Sequence, residues 1–374
     1  MKIEVLKENL KGSLSVVERI VSKNLSLPIL NNVLITTEDN FLSLTSTDLE
    51  IAIRVWILVK ILKKGSVVVP AKFLSQFISS LPNEKITLEA KDQNLYIECA
   101  NVKTQIQGFS PEEFPIVPGF KDVEYLEIDN KKLYAGLSGI IDIASPSQSR
   151  PEISGIYFSF AKNHIKMVAT DSFRLGEKNI SLQEPIQKEY AFILPQKSAR
   201  EIMNILEGKE GLVKIYVASN QVLFEFPMKE AKHPEAQITS RLIEGEYPNY
   251  QDIIPTKFKT HVTLKRDEFF NQIKTASLFS GKVNEVRLSV NQEKQTVEIF
   301  AKSAEIGENN SSLPAKVEGE SLSVSFNYKY LLDGILNIKS SEIIFEISKE
   351  EGPCILRPVG DASYIYVVMP IKSI

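Results

Sequence analysis

The side chains able to do covalent or metal chemistry are few and scattered. His164, His233 and His261 stand apart in a turn, a polar loop and a segment start, without the fixed-spacing partners that a metal site or a nucleophile's base requires. Cys99 and Cys354 lie in alternating apolar segments with no CxxC neighbour, which suits small buried hydrophobes better than nucleophiles. No Gly-x-x-x-x-Gly-Lys-Ser/Thr phosphate loop, Gly-x-Ser-x-Gly elbow or His-Glu-x-x-His helix occurs. No catalytic set, metal site or cofactor is therefore expected. Thr47-Asp48 and Thr170-Asp171 recur after equivalent segments, and a repeated Thr-Asp reads as a turn or cap of the fold.

What does recur with a chemical consequence is positive charge. The 374 residues carry 44 Lys plus Arg against 47 Asp plus Glu, a formal net charge of −3. That balance excludes a protein that coats nucleic acid by bulk charge, but not a basic stripe on an acidic body. In three equivalent segments the cations outnumber the acids by two: Lys7, Lys11, Arg19 and Lys23 against Glu8 and Glu18; Lys131, Lys132 and Arg150 against Asp142; and Lys265, Arg266, Lys274, Lys282 and Arg287 against Asp267, Glu268 and Glu285. Lys72, Lys197 and Lys329 add one cation at the same place in three further segments. A single charged helix face is usually only solvated, but equivalent faces side by side would form a stripe able to follow a phosphate backbone. No base-reading motif accompanies it, so such a contact would position a duplex without reading its sequence.

These residues sit in a threefold internal repeat. Alternating apolar segments pair as hairpins at Val33–Ile35 with Leu42–Leu44, Ile156–Phe158 with Ile165–Met167, and Val286–Leu288 with Val297–Ile299. An amphipathic helix precedes each hairpin: Leu10, Leu14 and Val17; Leu133, Leu137 and Ile140; Phe269, Ile273 and Ala276. A second helix follows, on Leu74, Ile78 and Leu81; Ala199, Met203 and Leu206; Leu331, Ile335 and Ile338. A second hairpin closes each copy, over 86–98, 213–226 and 343–356, so each copy reads as strand–helix–hairpin–strand–helix–hairpin, a doubled half. Glu113-Phe114-Pro115 with Pro118, and Glu246-Tyr247-Pro248 with Pro255, punctuate the copies. The expected domains are 1–120, 121–255 and 256–374, in an α+β fold. The opening residues show no signal peptide, and the most apolar run, 51–62, is broken by Arg54 and Lys60 and is too short to span a bilayer, so a soluble protein without a membrane partner is expected.

The chain resembles the beta subunits of bacterial DNA polymerase III, the replicative sliding clamps. The resemblance rests on Leu27-Pro28-Ile29-Leu30-Asn31-Asn32, Ser46-Thr47-Asp48-Leu49-Glu50-Ile51, Val69-Pro70-Ala71-Lys72, Val168-Ala169-Thr170-Asp171-Ser172-Phe173-Arg174-Leu175, Glu246-Tyr247-Pro248-Asn249-Tyr250 and Tyr366-Val367-Val368-Met369-Pro370, in family order along essentially the whole chain. It implies three tandem clamp domains and a head-to-tail homodimer closing a ring, with helices inside and sheets outside. Such a ring is not an enzyme. It encircles double-stranded DNA, tethers the polymerase III catalytic subunit, and is opened by an ATP-driven clamp loader complex.

On this resemblance Lys23, Lys72, Arg150, Lys197, Arg200, Lys274 and Lys329 would face DNA. A pocket between the second and third domains would bind short motifs of the polymerase, the loader and other replication and repair proteins. It would use Ile153, Thr170, Arg174, Leu175, Pro248, Ile253, Val367, Met369, Pro370 and Ile371. Leu278 and Phe279, two large apolar residues before Gly281, would belong to the dimer contact. The chain departs from the family pattern at Ser172-Phe173, where Gly followed by His or Tyr is frequent, at Asp252, where some relatives are basic, and in a tail running past Pro370. The stretch from Phe226 to Gln237 reads as a long loop of no assigned function. The competing reading is a repeat scaffold that binds proteins without enclosing DNA.

Overall fold

Alternation of period two and helical spacing dictate the element order of the computed structural model, which describes residues 1–21, 26–120, 124–144, 147, 149–182, 185–186, 188–229 and 231–372. In the first copy β1 (Lys2–Leu6) and α1 (Lys7–Val17) lead to β2 (Asn32–Glu38), β3 (Phe41–Thr47), β4 (Ile51–Leu58), β5 (Lys60–Lys63) and β6 (Ser66–Pro70); then come α2 (Ala71–Ser80), β7 (Lys85–Lys91), β8 (Asn94–Cys99) and β9 (Val102–Ile106). The second copy contains β10 (Tyr125–Asp129), α3 (Asn130–Ser138), β11 (Gly155–Ala161), β12 (His164–Thr170), β13 (Arg174–Ser181), β14 (Tyr190–Pro195), α4 (Gln196–Leu206), β15 (Leu212–Val217), β16 (Gln221–Pro227) and β17 (Pro234–Arg241). The third contains β18 (Thr260–Lys265), α5 (Arg266–Ser277), β19 (Glu285–Asn291), β20 (Thr296–Ser303), β21 (Gly307–Pro314), β22 (Lys316–Gly319), β23 (Leu322–Asn327), α6 (Tyr328–Leu336), β24 (Glu342–Ile347), β25 (Cys354–Pro358) and β26 (Tyr364–Val368).

Among the described residues, six α-helices and the antiparallel sheets make an α+β fold, as the patterning implies. Each expected hairpin is in fact a three-stranded meander. The polar ones among the third strands escape a reading of alternation: β21, Gly-Glu-Asn-Asn-Ser-Ser-Leu-Pro, buries only Leu313. Backbone pairing holds it, in unbroken register from Thr296 opposite Pro314 to Ser303 opposite Gly307. The long loop expected from Phe226 to Gln237 is likewise shorter. Pro227 ends β16 and Pro234 begins β17, terminal places where a missing N–H is tolerated, and the two prolines face each other in the ladder.

Two compact units emerge, residues 1–131 with 200–242, and residues 132–199 with 243–374. The first contains the five-stranded sheet β5-β1-β7-β8-β9 and the eight-stranded sheet β10-β15-β16-β17-β4-β3-β2-β6. The second contains the nine-stranded sheet β14-β11-β12-β13-β26-β25-β24-β18-β22 and the four-stranded sheet β21-β20-β19-β23. The middle copy is thus shared, because its strands pair with those of its neighbours. β17 lies beside β4 with Thr239 opposite Ala52, and β13 lies beside β26 with Leu175 opposite Val367.

The helices bury the faces that their spacing marks. Leu10, Leu14 and Val17 of α1 and Phe269, Ile273 and Ala276 of α5 are fully buried, as are Leu133 and Leu137 of α3. Ile140 and Ile338, counted as helical from their spacing, lie just beyond the ends of α3 and α6 but are still buried. In α4 the buried face turns to Ala199, Ile202, Ile205 and Leu206, and Met203 is only half-buried. Truncation therefore distinguishes the two readings of that helix. Ile202→Ala should lower stability by roughly 2–5 kcal/mol, whereas Met203→Ala should cost about 1 kcal/mol. Urea unfolding followed by circular dichroism checks this; equal shifts of the first transition would contradict the observed face.

Candidate functional site

The repeated Thr-Asp is a turn built twice from the same hydrogen bonds. In the first copy Asp48 Oδ1 accepts from the N–H of Glu50 (3.0 Å) and Ile51 (2.8 Å), while Thr47 Oγ1 accepts from Leu49 N–H (3.0 Å) and donates to Ile51 O (3.0 Å). In the second, Asp171 Oδ1 accepts from the N–H of Phe173 and Arg174 (both 3.0 Å), and Thr170 Oγ1 accepts from Ser172 N–H (3.2 Å) and donates to Arg174 O (2.7 Å). Both turns place their third residue in the left-handed region, Leu49 at φ 77° and Ser172 at φ 76°. That is where glycine is cheapest, which gives a physical reason for the departure at Ser172 to matter.

Only the second turn carries an arginine, and that residue organises the site. Arg174 Nε donates to Asp171 Oδ2 (3.0 Å), Nη1 to Asp333 Oδ2, and Nη2 to Asp142 O (3.0 Å). The guanidinium lies 4.8 Å from the centre of the Tyr330 ring, and its side chain is only 10% exposed. Burial pulls its pKa down, but Tyr366, Asp333 and Asp171 outweigh that and hold it above the ordinary arginine value. Asp142, Tyr330 and Asp333 were not legible in the sequence, since each comes from a distant segment with no local signal.

Beside this turn, Val168, Leu175, Tyr250, Ile355 and Val367 form a closed cluster against which Tyr157, Tyr247, Ile254, Phe258 and Ile365 pack. Tyr250 donates its hydroxyl to buried Glu177 at 2.6 Å, and burial together with that carboxylate raises its pKa. Leu175 and Val367, expected as pocket lining, are therefore covered, and Pro370 and Ile153 are buried as well. The accessible members are Ile253, half-buried Thr170, Pro248, Met369 and Ile371, and Phe173, which the sequence reading did not select. Met369 N–H donates to Phe173 O (2.9 Å) and Ile371 N–H to Ser325 O (2.8 Å), which fixes the course of the chain beyond β26. Asp252, the acidic departure, accepts from Asn249 Nδ2 at 2.7 Å and braces the linker.

The basic positions divide. Lys72, Lys197 and Lys329 are exposed, each at the second residue of its helix, and Arg200 and Lys274 are exposed on α4 and α5. Arg150 is exposed beside the Arg174 turn, pairing with Glu152 (3.3 Å) and donating to Ser172 Oγ (3.2 Å). Lys23 lies outside the described residues. Counting charge along the chain overstated the surplus, because several cations are engaged within the fold. Buried Lys7 donates to Leu81 O, Lys131 pairs with Glu210 (2.7 Å), Lys265 with Glu268 (2.9 Å), and Arg266 with Asp267.

Leu278 is 69% exposed just past α5, and Phe279 is half-buried. Both belong to a segment that turns at Gly281, whose φ of +62° suits glycine, and exposed Val283 and Ile306 lie along the same open recess of about 680 Å³ as Leu278. Two of the histidines pack within the fold: His233 stacks on Phe41 at 4.0 Å, and His261 Nδ1 lies 3.1 Å from Glu346. Both cysteines are buried and free, and burial pushes the Cys354 thiol up to about 12. Among the described residues no group of three or more His, Cys, Asp or Glu is placed to hold a metal, and no helix is long and apolar enough to cross a membrane.

The turn geometry sets an expected pair of outcomes. Asp171→Ala strips two backbone N–H groups and Arg174 of their acceptor and should lower stability by roughly 1–3 kcal/mol. Ser172→Gly removes left-handed strain and should be neutral or stabilise by up to about 1 kcal/mol. Thermal unfolding of the two variants checks this; a destabilising Ser172→Gly would show that the side chain, not the backbone, governs that position.

Comparison with known proteins accounts for this architecture. Models of the DNA polymerase III beta subunit match its N-terminal domain to residues 1–118, its central domain to 128–249 and its C-terminal domain to 251–372. The beta sliding clamp of Bacillus subtilis (strain 168) is 29% identical over the full length of both chains, and that of Staphylococcus aureus (strain Mu50) is 30% identical over 95% of both. The crystal structure of the Bacillus subtilis DNA polymerase sliding clamp superposes with a TM-score of 0.95 at 28% identity, covering all of both chains. The threefold repeat, the paired Thr-Asp turns and the joined sheets are those of three clamp domains, and the chain belongs to the family of bacterial DNA polymerase III beta subunits, the beta sliding clamps.

Proposed function

We propose that two copies of this chain close head to tail into a ring around duplex DNA. As a beta sliding clamp the chain is a non-catalytic processivity factor of DNA polymerase III. In the proposed ring, domains 1–120, 121–255 and 256–374 of each copy turn their helices inward and their sheets outward. The observation that carries DNA contact is the placement of Lys72, Lys197 and Lys329 at the second residue of three equivalent helices. The positive pole of a helix disfavours a cation by about 0.3–1 kcal/mol, so the placement does not serve helix stability. It does suit phosphate, for which an exposed lysine is a cationic contact that reads no sequence. Arg150, Arg200, Lys274 and Lys23 complete the proposed DNA-facing set.

Partner peptides of the polymerase catalytic subunit, the clamp loader, and replication and repair factors would dock beside the Arg174 turn. Thr170, Arg174 and Met369 would present the rim, with Phe173, Pro248 and Ile253. Half-buried Ile371 would adjoin that rim, and Ile153, Leu175, Val367 and Pro370 would support it or become accessible when Tyr250 moves. A sliding clamp from Bartonella birtlesii, 27% identical, has been solved bound to griselimycin, which supports a family site for small ligands. Replication places the working protein in the cytoplasm.

Leu278 and Phe279 would lie in the contact between copies, since an exposed apolar recess in a single copy is what a partner covers. Leu278→Glu combined with Phe279→Glu should yield folded monomers in light scattering; a dimer of unchanged mass would place the interface elsewhere. The decisive test of enclosure uses DNA topology. Weak, salt-sensitive side-on binding is expected from a chain of net charge −3, yet once loaded the protein should stay on nicked circles at salt that abolishes binding to short linear duplex. Cutting the circle should release it, and reversing Lys72, Lys197 and Lys329 to Glu should slow loading more than it shortens retention. Equal loss from intact and cut circles would favour the non-enclosing scaffold.

A further inference from the structure

The two joins between strands of successive copies share one register but are filled differently. Where β13 meets β26, Leu175 stands opposite Val367, and Val367 opposite Ile355. With Val168 and Tyr250 these side chains close the join. Where β4 meets β17, the corresponding places hold Ala52, Thr239 and Leu223. Tyr250 follows Glu-Tyr-Pro by two residues, and its counterpart after Glu113-Phe114-Pro115 is Val117. Alanine for leucine and valine for tyrosine remove side-chain volume, and threonine for valine replaces a methyl by a hydroxyl. The result is an open recess of about 250 Å³ lined by Ala52, Arg54, Val117, Phe120, Tyr216 and Leu223. That is below the roughly 300–1,000 Å³ of sites that bury a whole small molecule, and suits one large side chain with its neighbour.

Two charged groups line the recess, Arg54 and Glu225. Glu225, at its edge, is already engaged: Gln237 Nε2 donates to it at 2.8 Å and the Tyr216 hydroxyl at 3.4 Å. Burial, reinforced by Glu225, pushes that phenol up to about 12, so it remains a neutral donor. Arg54 is half-buried; its Nε donates to Thr45 Oγ1 at 3.2 Å, and its guanidinium lies 5.6 Å from the Trp56 ring centre. Among the described residues it makes no ion pair, which leaves its Nη groups for an incoming carboxylate.

We propose that this recess is a second peptide-binding site, taking one large apolar side chain of a partner segment while Arg54 pairs with an adjacent carboxylate. The site is separate from the Arg174 turn and does not depend on the function proposed for that turn. Trp56, the only tryptophan, stacks near Arg54 and supplies the readout. The full-length protein is titrated with acetyl-Ala-Phe-Asp-Ala-amide and with the same peptide carrying Asn in place of Asp. Saturable change of Trp56 emission is expected, with the Asn peptide weaker by about tenfold. Ala52→Leu, which installs the residue that closes the other join, should weaken binding at least about tenfold; Arg54→Gln should erase the preference for Asp. Thr239→Ile is the alternative filling variant if Ala52→Leu does not fold. Absence of saturation, equal affinity for the two peptides, or undiminished binding to the filled variants would overturn the proposal, as would binding that survives Ala52→Leu but is lost in Met369→Ala.

Discussion

Backbone hydrogen bonding between strands of successive copies is the constraint on which the rest of this structure depends. β4 pairs with β17 and β13 with β26, so the middle copy has no sheet of its own that ends at its sequence boundaries. An open strand edge is a row of unmet donors and acceptors, and pairing it with the next copy satisfies them while tying distant parts of the chain together. This is why the compact units divide the middle copy although its sequence reads as one repeat. It also explains how a strand as polar as β21 persists, since a ladder does not require an apolar face on every strand.

The joins also concentrate chemistry. Each lies beside a Thr-Asp turn whose carboxylate accepts from two backbone N–H groups. Identical scaffolding then permits divergence in what stands next to it. At one join Arg174 reaches Asp171, Asp333, Asp142 and the Tyr330 ring, and Tyr250 closes an apolar cluster. At the other the fifth turn residue is Ile51 where the first has Arg174, smaller side chains line the sheet, and Arg54 is left beside open space. A removed partner at Arg174 would leave buried charge uncompensated, which is costly.

Charge shows most clearly the difference between a linear count and a folded molecule. Lys7 and Lys131 contribute equally to a sum along the chain, but one is buried against Leu81 O and the other is matched by Glu210. The exposed lysines at the starts of α2, α4 and α6 have a different standing, because a helix gains nothing from a cation at that end. Position within the helix, rather than abundance, marks these lysines as cations that are not placed for the stability of their own helices.

Much of the architecture follows from sequence alone: the number of copies, the helices of α1 and α5 with their buried faces, the hairpin turns and the Thr-Asp turns. These depend on interactions between residues a few positions apart, which a periodicity or a short motif records directly. The family was legible for the same reason, as a series of short motifs in order. Three-dimensional packing decided the rest. Polar third strands such as β21 carry no alternation, the buried face of α4 rotates from Met203 to Ile202, and the partners of Arg174 come from segments far along the chain. Whether a join is filled by Leu175 and Tyr250 or left open at Ala52 and Val117 depends on which strands meet and in which register. Because side chains alternate faces at every residue, that register cannot be read from either strand by itself; it exists only once the two strands have paired.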